Sequence, residues 1–179
     1  MSTVVIGISD CQVTDRPESE LVTYALGSCI AVSVWDPLRR IGGLLHFMLP
    51  ESSMDSQRAV ANPWMFADTG IDGLVKTAAG MGAERKRLVV RLAGGAQVLD
   101  PQGVFSIGKR NYQAARKALW KLGIFIASEA VGGEVSRTVR LNNQDGRFRV
   151  REGNGAEKEL PLHAQTRKEV ASGVPSFAG

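Results

Sequence analysis

Leu26-Gly27-Ser28-Cys29-Ile30-Ala31-Val32-Ser33-Val34-Trp35, followed across Asp36-Pro37-Leu38-Arg39-Arg40 by Ile41-Gly42-Gly43-Leu44-Leu45-His46-Phe47-Met48-Leu49-Pro50, decides how this chain folds. After a Gly-Ser turn, Ile30, Val32 and Val34 alternate with Ala31, Ser33 and Trp35, the period of a strand. Asp36-Pro37 supplies turn chemistry, and the apolar run from Ile41 to Leu49 reads as an antiparallel partner. The two segments form a hairpin. A turn centred near Pro37-Leu38 sets Cys29 across from His46 on strands about 4.8 Å apart. The spacing therefore predicts a thiol beside an imidazole, provided no bulge shifts the register.

Outward from the hairpin, Val4 to Ile8 and Leu21 to Tyr24 read as short strands. The polar stretch Ser52 to Asn62 reads as a mobile loop beside the site. Pro63 is placed to open a helix carrying Met65, Phe66, Ile71, Leu74, Val75 and Ala78, closed by Gly80-Met81-Gly82. Leu88 to Ala93 and Ile124 to Ala127 read as strands around a helix over Asn111 to Leu122. Arg137 to Leu141 and Arg147 to Arg151 form a second hairpin about Asn143-Gln144-Asp145-Gly146. Gly94-Gly95 and Gly132-Gly133 end strands where positive φ or close backbone approach is useful. Asn111 is expected to cap its helix or tie down the loop before it, and Arg137 to pair with a carboxylate at a sheet edge. The pattern fades at Gly153, so residues 1–152 are expected to be one domain and 153–179 a poorly ordered tail, with a short helical turn near Gln165 to Val170.

Composition narrows the class. A chain of 179 residues, 44% hydrophobic and 22% charged, supports one sizeable core. No apolar run approaches the roughly 18 residues of a membrane span, and the N-terminus lacks a basic secretory n-region, so a cytoplasmic protein without membrane insertion is expected. The net charge of +4 is scattered and gives no nucleic-acid signature. Two cysteines, Cys11 and Cys29, make neither a disulfide framework nor a zinc motif, and no cofactor or metal site is expected. Gly103 to Arg110 has phosphate-loop spacing, yet Arg110 stands where a Mg²⁺-binding hydroxyl belongs and a turn, not a strand, precedes it.

A thiol reacts as thiolate, and an adjacent imidazole can take its proton. The pair can then attack a carboxamide carbon, protonate departing ammonia and direct water onto the thioester. The Gly27-Ser28-Cys29 turn is expected to present backbone N–H groups to the oxyanion, that of Cys29 foremost. Thr23, Ser28 and Ser33 are the candidates to orient the imidazole. A cysteine opening an apolar strand is more often structural. What lifts this pair is that one of only two histidines falls opposite a cysteine following a glycine turn, whereas His163 has no such partner.

Thr23, Leu26-Gly27-Ser28-Cys29, Gly43 and His46-Phe47-Met48-Leu49-Pro50 resemble the signature of the CheD family of chemoreceptor glutamine deamidases. The resemblance continues through Gly94-Gly95-Ala96, Ile107-Gly108 with Asn111, and Gly132-Gly133 with Arg137. It implies a cysteine hydrolase converting glutamines of methyl-accepting chemotaxis receptors to glutamate, with Cys29 as nucleophile, His46 as base and Thr23 as the third position. A CheC-type phosphatase is the other implied partner. The implied fold is a single α/β (α+β) domain with β-sandwich-like sheets flanked by helices, similar to bacterial toxin glutamine deamidase domains. Rival readings are a non-catalytic adaptor using Cys29 and His46 for packing, and methylester hydrolysis or transglutamination at the same pair.

Overall fold

A computed structural model describes residues 2–98 and 105–162. Its elements are β1 (Ser2–Val5), β2 (Asp10–Thr14), β3 (Ser19–Leu26), β4 (Ile30–Asp36), β5 (Ile41–Phe47), α1 (Ser56–Ala61), α2 (Ala67–Gly80), β6 (Val89–Gly94), α3 (Ile107–Lys121), β7 (Ile126–Val131), β8 (Arg137–Asn142), β9 (Phe148–Glu152) and β10 (Glu157–Glu159). They build two mixed five-stranded sheets, ordered β1-β3-β8-β9-β10 and β2-β5-β4-β6-β7. Three layers result: the first sheet, the second sheet, and the helices α2 and α3 on the second sheet's far side.

The alternation along β4 is what makes this stacking possible. Ile30, Val32 and Val34, with Leu45 and Phe47 of β5, pack on Ile71 and Leu74 of α2 and on Ala115 and Leu119 of α3. Ala31 and Trp35, with Leu44, instead meet Leu21, Val139, Leu141 and Phe148 of the first sheet. Every residue of β4 is consequently buried. Trp35 also donates through Nε1 to the Asn143 carbonyl at 3.1 Å, and Arg91 donates to the Gly146 carbonyl at 3.0 Å, so the β8–β9 turn is fastened to the second sheet.

The hairpin register differs from the expected one by two residues. Ile30 pairs with Phe47 and Ala31 with His46. The cause lies in the turn, where Asp36 accepts from the Leu38 and Arg39 N–H groups and Arg40 closes back onto the Asp36 carbonyl at 2.8 Å. Four residues therefore connect the strands, with Arg40 in the left-handed region at φ 51°. Because the difference is even, it leaves each side chain on its expected face.

Other departures have local causes. The polar stretch expected to be a loop contains a 3₁₀ turn at Ser52–Met54 and the helix α1, since its polar residues are caps: Asp55 accepts from Arg58 N–H and Asn62 from Trp64 N–H. Pro63–Met65 forms a separate 3₁₀ turn, and Phe66 is extended before α2 begins because it bridges Leu49. Strand β2, absent from the sequence reading, pairs with β5, and the short β10 adds to β9 beyond the point where the pattern fades. Helix α3 starts at Ile107 with Ser106 as its N-cap, so Asn111 is not a cap. Arg137 does pair with Glu152 at 2.7 Å and also holds the Gly132 carbonyl. The expected turn of helix near Gln165 lies outside the described residues, as does part of the Gly103 to Arg110 segment.

Between β3 and β4 the chain crosses from one sheet to the other. A bulge at the end of β3, with Ala25 at φ 55°, inserts one extra residue opposite β8 and redirects the chain into Gly27-Ser28-Cys29. The crossing is received by Gly94-Gly95-Ala96: Gly95 N–H donates to the Cys29 carbonyl and Ala96 N–H to the Gly27 carbonyl, both at 2.8 Å. Gly94 has φ +114°, and a Cβ there would collide with the Cys29 carbonyl oxygen. Gly94→Ala is accordingly expected to cost about 3 kcal/mol by combined strain and overlap, read as a lower urea midpoint; an unchanged midpoint would remove this contact as a determinant of the turn.

Candidate active site

Cys29 stands at the sheet-to-sheet crossing, one residue before β4, and is partly buried against the inter-sheet core. His46, 1% exposed, lies on β5 opposite Ala31. Continuing the register by one step sets Cys29 opposite Met48, so Cys29 and His46 are diagonal neighbours on one face, at a separation of roughly 7 Å between backbones that side chains can span. Thr23 comes from β3 in the facing sheet and is fully buried. The three candidate side chains thus arrive from both sheets at one end of the interface.

The hydrogen bonds determine the state of the imidazole. Thr23 Oγ1 donates to the Ile6 carbonyl at 2.7 Å and contacts His46 Nδ1 at 2.8 Å. With its proton committed to Ile6, the hydroxyl can only accept from histidine. Nδ1 therefore carries the proton, and Nε2 presents its lone pair. Nε2 is buried and has no hydrogen-bond partner among the described residues. Among the sequence candidates for orienting the ring, Thr23 makes the contact; Ser33 is buried, and its hydroxyl has no partner among the described residues. Asp10 is the direct cross-strand neighbour of His46, but its carboxylate accepts from the Cys11 N–H.

Burial keeps both candidate groups neutral. It lowers the His46 pKa to about 4, and it raises that of Cys29, an effect opposed by the hydrogen bond from the residue's own backbone N–H. The two side chains are therefore a thiol and a neutral imidazole. Cys11, whose pKa desolvation and then Asp10 push up to about 12, packs against the helix-side core on the other face of the sheet. Both cysteines are free.

Gly27 and Ser28 are held by their backbone carbonyls. No backbone carbonyl among the described residues takes the N–H of Ser28 or Cys29, while all three carbonyls of the turn are occupied: Gly27 by Ala96, Cys29 by Gly95, and Ser28 by the Asn111 side chain at 2.9 Å. The sequence reading missed this role of Asn111. No local pattern could have revealed it, because its partners lie 83 and 63 residues away. Among the described residues no group of three or more His, Cys, Asp or Glu side chains is arranged to hold a metal ion. A cavity of about 470 Å³ opens between α2 and α3, lined by Glu51, Asp68, Asp72, Lys117 and Lys121 among others, and excludes Cys29, His46 and Thr23.

The family model described as CheD chemotactic sensory transduction matches residues 48–152. The chain belongs to the CheD family. It is similar to the probable chemoreceptor glutamine deamidase CheD of Solibacter usitatus, with 56% identity over 160 residues, covering 89% of this chain and 94% of the relative. It is also 46% identical to the probable chemoreceptor glutamine deamidase CheD 1 of Syntrophus aciditrophicus, covering 89% of this chain and all of the relative. A third relative, the probable chemoreceptor glutamine deamidase CheD 2 of Anaeromyxobacter dehalogenans, is 45% identical over 86% of this chain and 97% of its own length. The family model begins after His46, but the longer matches leave too few residues outside them to omit the Cys29 and His46 segments from a CheD-type alignment. Among the described residues no helix is long and apolar enough to cross a membrane.

A buried neutral histidine has a stability signature with a definite sign. In the unfolded chain His46 binds a proton near pH 6.5; in the folded protein it resists doing so until about pH 4. Stability is expected to fall by about 3 kcal/mol as pH drops through that window and then to level off. His46→Gln should show a correspondingly shallower decline in urea titrations between pH 7.5 and 4.5; parallel profiles for the two proteins would contradict a buried neutral imidazole.

Proposed function

We propose that this chain is a cytoplasmic protein-glutamine deamidase that converts glutamine side chains of chemoreceptors to glutamate. The observation that carries this reading is the His46 imidazole, with Nδ1 committed to Thr23 and Nε2 bare on the face it shares with Cys29. The names of the similar proteins support the substrate class. Methyl-accepting receptors are the proposed receptor type, and a CheC-type phosphatase is a further proposed partner, resting on the family resemblance.

In the proposed chemistry, Nε2 takes the Cys29 thiol proton as sulfur attacks the glutamine Cδ. Negative charge on the former carbonyl oxygen is met by the Cys29 N–H. Collapse of the tetrahedral species breaks the C–N bond, and the imidazolium returns its proton to the departing ammonia. A water molecule then gives a proton to Nε2 while its oxygen attacks the thioester. Expulsion of the Cys29 sulfur, which recovers that proton from Nε2, leaves a carboxylic acid that ionises to the carboxylate by giving its remaining proton to the released ammonia or to solvent. Thr23 acts through His46, keeping Nδ1 protonated and the ring in place. Water and the amide are the reactants consumed.

Incubating a receptor fragment with wild type and variants, then locating amide-to-acid conversion by peptide mass spectrometry, tests the reading. Cys29→Ala and His46→Ala should abolish conversion. Thr23→Val, which removes the acceptor for Nδ1–H while keeping the shape, should lower kcat about 10- to 100-fold. Equal conversion by all four proteins would exclude Cys29 and His46 as the reactive pair. Binding without conversion by wild type would favour an adaptor, and an added amine trapped on glutamine would indicate transglutamination.

A further inference from the structure

Asn111, the fifth residue of α3, has no solvent exposure. Its amide nitrogen donates to the Ser28 carbonyl and to the Met48 carbonyl, each at 2.9 Å. Ser28 immediately precedes Cys29, and Met48 lies two residues beyond His46. One side-chain amide thus spends both hydrogens on the two chain segments that carry the thiol and the imidazole. Its oxygen, by contrast, is buried without a partner among the described residues. A residue needed only to fill this space would be better as leucine, which has no oxygen to leave unpaired. What asparagine adds is the pair of donors.

The consequence follows from the planarity of the peptide bond. The Ser28 C=O and the Cys29 N–H belong to one trans peptide unit and point in opposite directions. By pulling the carbonyl toward α3, Asn111 turns the N–H away from the helix and toward the inter-sheet side of the turn, where Cys29 packs. Gly95 and Ala96 fix the flanking carbonyls by backbone bonds alone. The middle carbonyl is the one whose orientation depends on a side chain.

We propose that Asn111 is a positioning residue that locks the Ser28–Cys29 peptide plane so that the Cys29 N–H stabilises the tetrahedral oxyanion. This rests on Cys29 acting as an acyl-accepting nucleophile, the chemistry proposed above. The role is separable from a general effect on the pair, because alkylation of a thiol by iodoacetamide passes through no oxyanion whereas acylation by p-nitrophenyl acetate does.

The test compares wild type, Asn111→Leu and Asn111→Asp in three assays: acylation of Cys29 by p-nitrophenyl acetate, alkylation of Cys29 by iodoacetamide, and deamidation of a receptor fragment. Asn111→Leu is expected to slow ester acylation at least about tenfold and deamidation kcat about 10²-fold, with KM and the alkylation rate each within about threefold of wild type. Asn111→Asp donates no hydrogen bond as a carboxylate and one as a carboxylic acid. Its acylation rate relative to wild type should therefore rise as pH falls from 8 to 6, while its relative alkylation rate stays flat. Should Asn111→Leu not fold, this pH ratio decides alone. Parallel loss of acylation and alkylation, unchanged acylation, a flat pH ratio, or no ester acylation by wild type would each overturn the proposal. Ester acylation by wild type with no glutamine converted would instead sink the deamidase reading and leave the role of Asn111 standing.

Discussion

Strand β4 has no solvent-facing side, and the rest of the molecule is arranged around that constraint. One row of its side chains must find helices and the other must find a second sheet, so the strand cannot slip by a single residue without exchanging its two environments. The strand is entered from the facing sheet, because β3 precedes it. Here the entry is the crossing at Gly27-Ser28-Cys29, which brings the thiol to the rim of the inter-sheet space. His46 reaches the same space from the neighbouring strand, and Thr23 from the opposing sheet. The site is assembled by the packing of the layers.

Much of this was legible because β4 and β5 are strongly patterned. Their alternation identified the faces, and even parity protected the shared face of Cys29 and His46 when the Asp36 turn set a different register from the expected one. Weakly patterned pieces were not legible. Asp10-Cys11-Gln12-Val13-Thr14 mixes polar and apolar residues because it is a partly exposed edge strand, and Glu157-Lys158-Glu159 is too short and charged to read as β. The polar residues of 52–62 suggested looseness, whereas Asp55 and Asn62 hold short helical turns in place. At the site, Thr23 was one of three hydroxyls that local spacing could not separate. Only the facing of two sheets selects it, and the reach of Asn111 across the helix layer is still more non-local.

The electrostatics of the pair follow from the same burial. Desolvation disfavours charge on either group, so imidazole and thiol are neutral together. The hydroxyl of Thr23 suits this arrangement: it orders the imidazole through a neutral hydrogen bond and introduces no ionised group into the interface. A carboxylate in its place would favour imidazolium and would itself need solvation in a buried position. Hence the third residue contributes tautomer and orientation more than charge.

Strand β10 bears on a different property of the molecule. A five-stranded sheet that ends on an open strand exposes unpaired backbone groups, to which another chain can add. Among the described residues the strand at this edge is only three residues long, and each of the three, Glu157, Lys158 and Glu159, is charged and exposed. A foreign strand docking there would have to strip water from that row of ionised side chains. The segment thus closes the sheet against runaway edge-to-edge growth, so a protein with two large β-layers can resist self-association at this margin.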